Sequence, residues 1–109
     1  MAEAQRLELQ AILENLLGSR NVYFQPPENF KMQYDCIRYE RSHIPPKFAN
    51  NRPYILQNCY QLTVIYRNPD SDLPEKIAML PMCSHERHYT ADNLNHDVFN
   101  LYYEGGIPQ

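Results

Sequence analysis

Glycine is scarce in this chain, with three residues in 109, and the formal charge of -3 is spread without any basic block. The phosphate-neutralising stripe on which nucleic-acid affinity rests is therefore missing, and DNA or RNA is not an expected partner. Apolar runs are short, as in Leu16 with Leu17 or Val64 with Ile65, whereas a helix that crosses a bilayer needs about 20 such residues. No membrane partner is expected. The charged start and apolar middle of a secretory signal are also lacking, which points to a soluble protein made in the cytoplasm. Cysteine is limited to Cys36, Cys59 and Cys83. An odd number, widely spaced, argues against a disulfide scaffold and for reduced thiols.

What is present fits one domain over residues 1–109. Hydrophobic residues make up 43% of the chain and charged residues 21%, so the charge-rich, apolar-poor composition of disorder is excluded. Nine tyrosines and nine prolines are the unusual feature. Tyrosine joins a large apolar ring to a polar tip, which suits surfaces that meet another protein. It also favours strands, so the same residues could line an ordinary sheet.

Along the chain, Leu9, Ile12, Leu13 and Leu16 follow helical spacing, and Gly18 supplies a stop, so a helix is expected from Ala2 to Leu17. Val22 to Phe24 reads as a short strand ended by Pro26 and Pro27. Tyr34 to Arg41 alternates, with Ile37 and Tyr39 on one side and Arg38 and Glu40 on the other. Residues 43–57 form a proline- and asparagine-rich interruption, long for a connection between strands. Cys59 to Arg67 is the strongest strand, with Tyr60, Leu62, Val64 and Tyr66 on one face. Asp72 and Glu75 then stand in capping-box spacing around Pro74, opening a second helix through Leu73, Ile77 and Leu80 that Pro81 cuts short. Met82 to Thr90 and Leu94 to Tyr103 read as a strand pair, turned at Ala91, Asp92 and Asn93. Residues 104–109 look irregular. The expected class is α+β: a mostly antiparallel sheet of four to five strands with two helices on one face, in the order α-β-β-β-α-β-β.

The helix ending Ile12, Leu13, Glu14, Asn15, Leu16, Leu17, Gly18, the Ile37, Arg38, Tyr39 strand and the Tyr60 to Tyr66 strand resemble tail terminator, or tail-completion, proteins of long-tailed bacteriophages. The run from Tyr89 to Tyr103 is the most similar piece, and the likeness extends over nearly the whole chain. Asp35, standing where such proteins often place proline, and the short second helix are departures from the pattern. The resemblance implies a structural virion protein and no catalysis. It implies a homo-oligomeric, hexameric ring at the head-proximal end of the tail tube that stops tube growth and presents a surface to the head-completion or neck protein. Other neck or head-tail joining subunits share related folds, and a non-viral α+β adaptor is the alternative outside phages.

Several constellations bear on chemistry. Cys83, His85 and His88, with His96, Cys59 or Cys36, suggest a metal, but on a regular strand His88 faces away from Cys83 and His85, so they cannot converge without a bulge. No metal and no cofactor is expected. A cysteine nucleophile, Cys83 or Cys59 with His85, His88 or His96 as base, lacks any catalytic signature around it, and the Asn95, His96, Asp97 run is read as solvent-facing strand residues in preference to a nuclease fragment. Asp70, Asp72 and Glu75 at a helix start are read as caps in preference to a calcium site. In the long loop Pro45, Pro46, Phe48, Arg52, Tyr54 and Ile55 set apolar and cationic anchors among turn formers, and these are the expected contacts with another subunit.

Overall fold

The computed structural model describes residues 2–42 and 59–103, with side chains from residue 6 onward. Helix α1, Ala2–Leu17, turns Leu9 and Leu13 into full burial, with Leu16 and Leu17 packed beside them. Gly18 ends it at φ +83°, the left-handed conformation that glycine adopts without a Cβ clash, and its N–H donates to the Glu14 carbonyl at 2.9 Å. Among the described residues, no helix is long and apolar enough to cross a membrane.

The sheet has five strands: β1 Val22–Phe24, β2 Cys36–Arg41, β3 Cys59–Tyr66, β4 Cys83–Ala91 and β5 Leu94–Tyr102, in the spatial order β1-β2-β3-β5-β4. The expected α+β class and element order hold, and among the described strands only the β1–β2 pair is parallel. Strand β2 begins at Cys36, two residues later than expected. Asp35 is engaged elsewhere, its carboxylate accepting the Arg67 N–H at 3.1 Å and its carbonyl accepting from the Asn21 amide at 3.4 Å.

One face of the sheet carries Ile37, Tyr39, Tyr60, Leu62, Val64, Tyr66, Phe99 and Leu101, all in one cluster with Leu9 and Leu13 of α1 and with Leu73 and Ile77 of the second helix. Both helices therefore lie on that face. Tyr39, Tyr60, Tyr66 and Tyr102 are buried in the sheet while Tyr89 is 40% exposed, so half of the eight described tyrosines belong to the sheet's interior. On the opposite face Cys36, Ile65 and Val98 are buried too. Around them runs a polar network: Arg38 pairs with Glu40 at 3.4 Å, and Glu86 accepts from Asn100 at 2.8 Å and from Arg87 at 2.9 Å.

The second helix, α2, spans Leu73–Ala78 and buries Leu73 and Ile77. It stops before Leu80, short of the expected length. Asp72 occupies the N-cap position but its carboxylate makes no capping hydrogen bond, against the capping-box expectation. Ser71 does that work, its Oγ accepting the Leu73 N–H at 3.2 Å, while Asp72 turns outward toward Lys76 Nζ at 3.7 Å. The β4–β5 hairpin closes through Asp92 at φ 54° and Asn93 at φ 63°. Two successive left-handed residues make the tight turn that matches strand twist, and Asp and Asn enter it at the lowest cost after glycine.

Candidate functional site

Strand β5 places Asp97 opposite Val64 of β3 and His88 of β4, on the helix-bearing face. A carboxylate there needs hydrogen bonds, because burial disfavours its charge. Only 6% of Asp97 is exposed. Its Oδ2 accepts the Tyr66 hydroxyl at 2.5 Å, and its Oδ1 lies 2.9 Å from His85 Nε2 and 3.1 Å from His88 Nδ1. One carboxylate thus ties β3, β5 and β4 together.

The two imidazoles reach it because β4 carries a β-bulge between His85 and Arg87. His85 stands opposite Phe99, Arg87 opposite Val98 and His88 opposite Asp97, so Glu86 is the extra residue. It joins Arg87 on the open face, where it contacts Gln61 and Asn100 of that face. The bulge restores His88 to the side of His85, the condition under which the sequence allowed them to converge. His85 also packs edge-on against the Phe99 ring, with centroids 5.1 Å apart.

Electrostatics follow the geometry. Burial alone would push Asp97 up, but the bonds from Tyr66, His85 and His88 and the His88 charge outweigh it and hold the carboxyl below its ordinary range. The same contact and burial raise the Tyr66 hydroxyl. Asp97 is an ionised acceptor, and each neutral imidazole bonded to it must carry its proton on the nitrogen facing it.

The thiols point away from nucleophilic chemistry. Burial pushes Cys83 up to about 11, burial and then the Asp35 charge push Cys36 up to about 12, and burial also raises Cys59. A cysteine nucleophile needs the opposite shift. His96 lies apart on the other face, stacked on Tyr89 with centroids 4.6 Å apart. Among the described residues, no group of three His, Cys, Asp or Glu side chains could hold a metal ion. Pro45, Pro46, Phe48, Arg52, Tyr54 and Ile55 lie outside the described residues.

Sequence reasoning takes Asp97, in the Asn95, His96, Asp97 run, for a solvent-facing strand residue and gives Tyr66 no role, whereas Asp97 is buried. The signal was available, since Asp97 alternates with Phe99 and Leu101 and so shares their inward face.

A second feature is the sheet edge. Residues 85–91 of β4 are all exposed, and β4 has a described strand on one side only. Strand β1, at the other edge, has three residues against nine in β4. No family model, no curated protein and no solved structure matches this chain.

Proposed function

We propose that this chain is a structural subunit that works by docking, a tail terminator of a long-tailed phage that closes into a ring on the tail tube. The observation that supports this reading is the long exposed edge of β4. Strand edges present backbone donors and acceptors to another chain, and an edge left this long is either guarded or used. Here the Glu86 bulge and the Glu86–Arg87 charges guard the middle, while His88 to Ala91 remains a regular stretch. A ring requires one patch to meet a different patch on the next copy, with a rotation that closes. Edge β4 and the opposite end of the sheet are such unlike surfaces. The ring would number six copies, with the tail tube protein on one side and the head-completion or neck protein on the other, and its location would be the virion after assembly in the host cytoplasm.

The test is native mass spectrometry and electron microscopy of the purified chain, alone and with tail tubes. Closed rings capping the tubes are expected. A strict monomer under both conditions overturns the proposal, and a dimer that never caps a tube points to the adaptor reading or another neck role.

A further inference from the structure

We propose that the free chain pairs with a second copy of itself along the β4 edge, the two strands running antiparallel about a two-fold axis at Tyr89 to make one continuous sheet. The ladder decides which backbone groups are on offer. Asp92 and Asn93, both at positive φ, form a two-residue turn closed by Ala91 and Leu94, and the closing pair of such a turn exchanges both its hydrogen bonds. Alternation from there turns Ala91, Tyr89 and Arg87 toward β5 and leaves the N–H and C=O groups of His88 and Thr90 pointing outward. These residues are exposed. The opposite edge does not offer a comparable row. Strand β1 has three residues, and Gln10 Nε2 already donates to the Val22 carbonyl at 2.9 Å.

The occupant that fits is the same strand from another copy. With Tyr89 on the axis, His88 stands opposite Thr90 of the second copy and Thr90 opposite its His88, so the outward groups of both strands are met. A register centred on His88 would draw the Glu86 bulge into the ladder, and one centred on Thr90 would set His88 against the turn residue Asp92. On the open face Tyr89 then meets its own counterpart at a non-hydrogen-bonded position, where side chains approach most closely. Tyr89 is 40% exposed and stacked on His96 at 11° between ring planes, so the axis joins two such stacks into one aromatic row. Charge agrees with this register. Arg87 falls opposite Ala91 of the second copy, beside Asp92, so each end of the contact brings together opposite signs.

Residues 87–91 of each copy form a small contact beside the roughly 20–30 residues a side of a standard interface, so the dimer is weak. A weak pair shields the edge and still opens. A ring that uses the same edge requires that opening, so the pair belongs to the free chain and is tested apart from the ring.

Sedimentation equilibrium of the purified chain should show a monomer–dimer equilibrium with a dissociation constant of about 0.1–1 mM. Thr90→Pro removes an outward N–H and no hydrogen bond to β5, so it should raise that constant at least about 10-fold with an unchanged melting curve. Tyr89→Cys, under mild oxidation, should cross-link across the axis through residue 89 of both copies, mapped by mass spectrometry of the bridged peptides. Leu7→Cys, at an exposed position of α1, is the control and should not. A chain that stays monomeric at about 2 mM, a dimer undiminished by Thr90→Pro in a folded chain, or cross-linking of Tyr89→Cys no faster than of Leu7→Cys overturns the inference. Rings on tail tubes without any free dimer would overturn it and leave the ring reading standing, whereas free dimers beside uncapped tubes would do the reverse.

Discussion

Two tyrosines on the same face of β3 show how a single hydroxyl decides its own worth. Tyr66 donates to a buried carboxylate, while the Tyr60 hydroxyl is buried without a hydrogen-bond partner among the described residues. Tyr66→Phe should cost about 1.5–3 kcal/mol, because it removes a bond to a charged group and leaves Asp97 under-satisfied. Tyr60→Phe should be neutral or stabilising, since only an unpaired polar atom is lost. Urea denaturation of the two variants compares them directly. Asp97 carries a pH consequence of definite sign. Its folded pKa lies below the ordinary value of 3.8, so its contribution is fully present above that value and disappears as the pH falls through the lower folded one. Acid unfolding of Asp97→Asn, if it folds, should show a shallower loss of stability below about pH 4 than the parent. The convergence of the two histidines was not legible from residue types. His85 and His88 read as members of opposite faces because period-two alternation assumes an unbroken ladder, and one extra residue, Glu86, reverses the parity. Asp97 could have been read, because its neighbours at two-residue spacing are Phe99 and Leu101.

Whole elements were easier to read than sites. Alternation located β2, β3 and β5 to within two residues, and helical spacing with Gly18 fixed the end of α1, because each pattern records which side chains face one core. The parallel β1–β2 pairing left no such record: a three-residue strand has no register of its own, and its direction follows from the crossover after Gln25. The cap of α2 was misassigned for a related reason, since Ser71 and Asp72 are both good acceptors and only the local backbone selects between them. Ser71→Ala should therefore destabilise by about 1 kcal/mol. Asp72→Ala should leave the melting temperature nearly unchanged, because the Asp72–Lys76 pair is exposed and such pairs contribute little. Equal losses in the two variants would return the cap to Asp72. The bulge can be tested as an element as well. Deleting Glu86 should keep Arg87 opposite Val98 and His88 opposite Asp97 while straightening the edge, so the fold survives. With the irregularity gone, sedimentation should reveal more edge-to-edge association than in the parent.

At the scale of the whole molecule, the proposed ring places its demands on surfaces away from the core. If the ring forms as proposed, the proline-rich segment 43–57 is the expected source of its contacts, because prolines restrict the unbound chain and lower the entropy lost on docking. Replacing Phe48 and Tyr54 with serine should leave the monomer's melting curve intact and impair ring closure or tail completion. A variant that unfolds as a monomer yet assembles normally would place these residues in the subunit's own core. The strand order has a temporal consequence as well. Strand β5 lies between β3 and β4 although it follows both in sequence. During synthesis β3 is complete at Tyr66, but its partner on that side ends at Tyr102, a delay of a few seconds at ribosomal rates of about 5–20 residues per second. In that interval Tyr60, Leu62 and Val64 have α1, β2 and α2 to lean on but no β5 partner, so a nascent chain stalled between α2 and β4 should engage chaperones more strongly than one stalled just after β5.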